Sequence, residues 1–111
     1  MKTVRAKITW LFEQKRIPPI LEEKDRITCN SYAPLICIKG QYKENEWIEN
    51  RNAIRWSSVI FNESIDGKES ISTVTYLVEK APFELLKVNA EFELFEGPNK
   101  VATGKIIEEI N

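Results

Sequence analysis

The sequence predicts an all-β domain, a single closed antiparallel barrel of about six strands in a Greek-key type arrangement. Three features carry that expectation. Val4, Ala6, Ile8, Trp10 and Phe12 alternate with Arg5, Lys7, Thr9 and Leu11, the period-two pattern of a half-buried strand. Asp66-Gly67 separates two longer strand-like runs and is a favoured hairpin pair. No amphipathic run of helical period exceeds about two turns, and strand-like segments recur at regular spacing instead. Closing the sheet removes its exposed edges.

Taken in order, the first strand ends before Pro18-Pro19, which removes two backbone donors. Glu22 to Arg26 is a charged connection. Tyr32 to Lys39 reads as the second strand, opening after Pro34 and ending at Gly40. Glu44 to Glu49, around Trp47 and Ile48, is a candidate short strand. Trp56–Asn62 and Ser70–Glu79 are the arms of the Asp66-Gly67 hairpin, whose polar tip is expected to project from the body. Ala81-Pro82 closes the second arm, and an irregular connection follows. Within it, Asn89 suits a left-handed backbone position. Phe92–Glu96 and Lys100–Glu109 complete the sheet across a Gly-Pro-Asn turn.

At 111 residues the chain supports one core, hence one domain over 1–111. An apolar fraction of 42% and a charged fraction of 30% are those of an ordinary globular protein. The formal net charge of −1 lacks the basic excess of a general nucleic-acid binder. Charge is uneven, however: residues 1–55 hold 11 Lys/Arg and 7 Asp/Glu, residues 56–111 hold 5 and 10. No apolar stretch approaches the ~20 residues of a membrane span. The spacing of Cys29 and Cys37 alone allows a disulfide, but with no export signal they are expected to be reduced thiols in a cytoplasmic protein.

The residue inventory argues against catalysis. Without histidine, Ser-His-Asp and Cys-His mechanisms are unavailable. Gly67-Lys68 lacks the preceding glycine and following hydroxyl of a phosphate-cradling loop. Cys29 would need a cation such as Lys24 or Arg26 beside it to be reactive. No loop has calcium-ligand spacing. Glu22-Glu23, Glu91/Glu93 and Glu108-Glu109 are expected to be solvated strand ends and edges. The chain is therefore read as a non-enzyme with no cofactor and no metal.

Among the tryptophans, Trp10 and Trp56 are expected in the core. Trp47 is the candidate exposed anchor, a residue type that dominates interface hot spots. Arg51 and Arg55 would complete a Trp/Arg patch with it, and Lys15 with Arg16 form a second patch in the first turn.

The C-terminal run FELFEGPNKVATGKI, Phe92 to Ile106, resembles the last hairpin of the C-terminal β-barrel domain of translation elongation factor Tu. There the family reads roughly F-x-(L/I)-x-E-G-G-R-T-V-G-x-G-x-(V/I). AKITWLF followed by Arg16 and Pro19 resembles the family's first strand and its Gly-Gly-Arg-x-x-Pro turn, with Gln14-Lys15 in place of the glycines. Tyr32-Ala33-Pro34-Leu35 resembles Tyr-Arg-Pro-Gln, and SISTVTYLVEKAP the penultimate strand, while Gly40–Lys68 aligns only loosely. In the family this barrel packs on a GTPase domain, contacts the tRNA backbone and helps form the docking surface for the nucleotide-exchange factor. Arg16 and Gly97 match positions near the tRNA contact. Ile17, Leu35 and Asn99 stand where the family has His, Gln and a basic residue, and Ala33 where it has Arg, a loss of bidentate capacity.

The resemblance thus implies a scaffold kept without its nucleotide engine. The leading expectation is a cytoplasmic protein-binding module whose partner belongs to the translation apparatus, using Lys15, Arg16, Trp47, Arg51, Arg55 and Gly97. Two readings of other classes stay open. Direct RNA binding would gather Arg5, Lys7, Lys15, Arg16, Arg51 and Arg55 on one face. An immunity-type protein would neutralise a toxin through the Asn62–Ser70 hairpin and its acids Glu63, Asp66 and Glu69.

Overall fold

The alternation of the first strand becomes the inner wall of a barrel. In β1 (Val4–Trp10), Val4, Ala6, Ile8 and Trp10 are buried while Lys7 and Thr9 face solvent. The computed structural model describes residues 2–11, 13, 16–20, 32–39 and 55–110. Within them lie β2 (Leu35–Ile38), β3 (Trp56–Asp66), β4 (Glu69–Tyr76), β5 (Glu91–Glu96) and β6 (Asn99–Glu109). The candidate strand Glu44–Glu49 and the connection Glu22–Arg26 lie outside the described residues.

All strand pairs are antiparallel and the sheet closes in the order β1-β4-β3-β2-β5-β6. β2, β3 and β4 are successive neighbours and β5 returns beside β2, the Greek-key order. Register irregularities at Arg5/Ala6, Asn62/Ser64 and Leu94/Phe95 supply local bending of the kind that lets a small sheet close. Between β4 and β5 one 3-10 turn, Phe83–Leu85, is followed by buried Leu86. Asn89 holds a left-handed φ of 74°, as its residue type suggests.

The core gathers Val4, Ile8, Trp10, Ile36, Ile60, Val74, Tyr76, Leu86, Phe92, Leu94 and Ile106. Trp10 is a core residue, whereas Trp56 is only half-buried against the cluster. Gly104 is required by a close approach: a Cβ there would stand 2.3 Å from Cζ of Phe92. The Phe92 ring therefore fills space that any side chain on β6 would occupy.

The hairpin does not project from the body. β4 is paired with β1 as far as Thr9↔Glu69, and the Trp10 amide donates to the Lys68 carbonyl at 2.7 Å. Its tip, Asp66 to Glu69, is exposed, but polar residues along its arms face inward: Asn62 is 1% and Ser72 0% exposed. They are buried because they satisfy one another. Trp10 Nε1 donates to Ser70 Oγ (2.9 Å), Ser70 and Ser72 hydroxyls are 2.8 Å apart, and Ser72 Oγ donates to Asn62 Oδ1 (2.6 Å). Asn62 Nδ2 then donates to the Pro18 carbonyl at 2.7 Å. The second arm also ends earlier than expected, at Tyr76.

Glu93 departs from its expected solvated position as well. It is 6% exposed, and its carboxylate lies 2.9 Å from Lys100 Nζ. It pairs across the sheet with Cys37, which is buried. Cys29 lies outside the described residues.

Candidate functional site

The β5–β6 connection is a two-residue turn, Gly97-Pro98, closed by the Glu96↔Asn99 pair. Gly97 has φ +58°, and proline fixes a negative φ after it, the combination of a type II′ hairpin turn. A tight turn leaves the Gly97 carbonyl open to a side-chain donor. Arg55, immediately before β3, takes it: Nη1 donates to Gly97 O at 2.8 Å. On the way its guanidinium lies 3.8 Å from the centroid of the Phe95 ring, a cation–π stack that holds the planar group against the barrel wall. Arg55 Nε is buried with no hydrogen-bond partner among the described residues.

Arg16 approaches Glu96, the residue just before the same turn. Its backbone amide donates to Glu13 O at 2.9 Å, and Ile17 beside it is buried. The Arg16 side chain is 59% exposed, with Nη2 3.9 Å from Glu96 Oε1. Glu96 is held more firmly by Tyr32, whose hydroxyl donates to Oε2. Tyr32 meets Trp10 edge-on, ring centroids 5.6 Å apart. Burial, and then the hydrogen bond to Glu96, pushes the Tyr32 phenol above its ordinary range, while the Arg16 charge pulls weakly the other way. Tyr32 is thus a neutral donor that fixes a carboxylate between an exposed guanidinium and the turn.

Of the residues expected in a binding surface, Arg16, Arg55 and Gly97 meet around this turn. Lys15, Trp47 and Arg51 lie outside the described residues. Greek-key order returns β5 beside β2, and the β5–β6 strand ends and turn are contacted by both Arg16, expected in the first-turn patch, and Arg55, expected in the Trp/Arg patch. Tyr32, Phe95 and Glu96 are site members that sequence reasoning passed over. The available signal was local: Phe95-Glu96 abuts the turn glycine, and an aromatic ring next to a positive-φ turn offers a stacking face.

Elsewhere Lys2, Arg5, Lys7 and Lys100 meet acids. Arg5 Nε lies 3.1 Å from Glu63 and Arg5 Nη1 2.5 Å from Glu108, and Lys7 Nζ is 3.5 Å from Glu69. A depression of about 400 Å³ on the outer wall is lined by Lys7, Lys39, Lys105, Glu69 and Glu91, a surface of mixed sign. Among the described residues no group of three or more His, Cys, Asp or Glu is placed to hold a metal ion. No described helix is long and apolar enough to cross a membrane. A scan of the sequence against protein-family models gives no match, and no curated protein matches it either.

Proposed function

We propose that the chain is a non-enzymatic protein-binding module, a barrel of the elongation factor Tu C-terminal type that binds a cytoplasmic component of the translation apparatus through the β5–β6 turn. The observation that carries this reading is the meeting of Arg16, Arg55 and Gly97 at one turn, two guanidinium groups from distant segments flanking a fixed carbonyl and carboxylate. Arginine is enriched among interface hot spots, and a stacked, pre-oriented guanidinium loses little freedom on binding.

Direct RNA binding draws less support. Arg5 and Lys7, central to a basic face, sit beside Glu63, Glu108 and Glu69, which blunts the phosphate attraction such a face needs. A toxin-neutralising hairpin is also less supported, since those same pairs engage two of its three acids with β1.

Affinity capture from lysate of the source organism, with protein and RNA both quantified, tests the proposal. A stoichiometric protein that survives high salt is expected, and Arg16→Glu or Arg55→Glu should each weaken its binding at least about tenfold. Unchanged capture by both variants, or recovery of tRNA that washes off as salt rises, would overturn it.

A further inference from the structure

We propose that the interior hydroxyl–amide chain positions Arg16, with Asn62 as the positioning residue; this rests on the reading of Arg16 as a partner contact. The donors and acceptors of the chain can run in one direction only. An indole N–H can only donate and a proline carbonyl can only accept. Trp10 Nε1 therefore donates to Ser70 Oγ at 2.9 Å, which leaves the Ser70 proton for Ser72 at 2.8 Å. The Ser72 proton goes to Asn62 Oδ1 at 2.6 Å. That bond selects one of the two amide orientations, the one presenting Nδ2 to Pro18 O at 2.7 Å. The flipped amide would set Oδ1 against the carbonyl and leave both unsatisfied.

Pro18 is two residues from Arg16, so a bond to its carbonyl acts on the backbone that carries the guanidinium. Ile17 is buried and sets the depth of the loop, but apolar packing is not directional. The Asn62–Pro18 bond fixes the tilt of the backbone. Trp10 also packs against Tyr32, which holds Glu96 beside Arg16. One indole thus anchors both the loop that carries Arg16 and the carboxylate that it faces.

Amide hydrogen exchange tests this without any partner. The probe is the Arg16 amide, bonded to Glu13 O, and the reference is the Ile106 amide, bonded to Ala90 O. In Asn62→Ala the Arg16 amide should exchange about tenfold faster, while Ile106 keeps its protection. Ser72→Ala, which frees the amide to flip, should move Arg16 in the same direction by less. If Asn62→Ala does not fold, Ser72→Ala decides alone. Unchanged Arg16 exchange in the folded variants would overturn the proposal and leave the loop held by Ile17. Faster Arg16 exchange with undiminished partner affinity would keep the positioning role and remove Arg16 from the contact. The reverse, unchanged exchange with binding still lost in Arg16→Glu, would keep the contact and remove Asn62.

Discussion

The β5–β6 wall of the barrel is filled by Phe92, Leu94, Val101, Ala102 and Ile106, with Glu93 its one buried polar residue among those described. The β3–β4 wall mixes Ile60, Val74 and Tyr76 with Ser58, Asn62, Ser70 and Ser72, equally buried. The first wall is held by contact area, which is non-directional and graded in size. The second is held in part by hydrogen bonds that must all be made in one direction. The two should therefore fail differently. A loss on the apolar wall scales with the volume removed. A loss on the polar wall depends on which neighbour is left without a partner, and it is transmitted to the loop bearing Arg16.

The largest effect belongs to the apolar wall. Phe92→Ala removes the ring packed on Gly104 and should cost about 3–5 kcal/mol in urea unfolding. Gly104→Ala approaches the same contact from the other strand, overpacks it, and should cost about 1–3 kcal/mol. A cost below about 1 kcal/mol for Phe92→Ala would mean that this wall relaxes freely, and the contrast between the walls would collapse.

On the polar wall Ser72→Ala deletes little volume but orphans Asn62 Oδ1, at a cost of about 1–3 kcal/mol. The sharper test is the double variant Ser72→Ala with Asn62→Leu. Removing both partners replaces an orphaned acceptor with apolar contact, so part of the loss should return. Arg16 amide exchange should stay fast, because the Pro18 carbonyl still lacks its donor. A strictly additive double variant would show that these side chains do not act as one chain.

The contrast also explains what could be read from the residues alone. Val4, Ala6, Ile8 and Trp10 announce themselves by period, and Asp66-Gly67 and Asn89 by turn chemistry; each signal is local. Counting such segments suggests six or seven strands, and six described strands form the closed barrel. Asn62, Ser70 and Ser72 give no such signal, since residues of these types are mostly exposed. Their burial is licensed by partners 10 and 60 positions away. Glu93 was misplaced for the same reason, its cation being supplied from across the β5–β6 pair. The candidate site is half legible: Arg16, Arg55 and Gly97 are each named by the sequence, but only the fold brings them to one turn.

Tyr32 joins the polar wall to the surface and gives the comparison a pH dependence. Its phenol ordinarily ionises at 10.0 and is raised in the folded state. Below pH 10 both states keep the proton and the bond to Glu96 contributes fully. Above it the unfolded chain releases the proton while the folded chain retains it, so stability falls as pH rises. Tyr32→Phe should cost about 1 kcal/mol at neutral pH, discounted for partial exposure. That gap should close as the pH climbs beyond 10. A gap that stays constant to pH 11 would place the value of Tyr32 in its ring contact with Trp10 rather than in its hydroxyl.

The smallest effect, that of Asn89→Gly, returns to the apolar wall. Asn89 spans the approach to β5 with φ 74°, and its amide donates to Ile106 O at 2.8 Å. Glycine tolerates that backbone without strain but loses more freedom on folding, so Asn89→Gly should lie within about 0.5 kcal/mol of the parent. Asn89→Val keeps the hydrogen-bonding amide and adds a branched Cβ to a left-handed position, at a cost of roughly 1–2 kcal/mol. Thermal unfolding of the pair separates backbone strain from packing, because the Asn89 side chain is exposed. If both variants matched the parent, the connection would be able to relax away from its left-handed geometry. The Ile106 amide would then lose its standing as the fixed reference for exchange at Arg16.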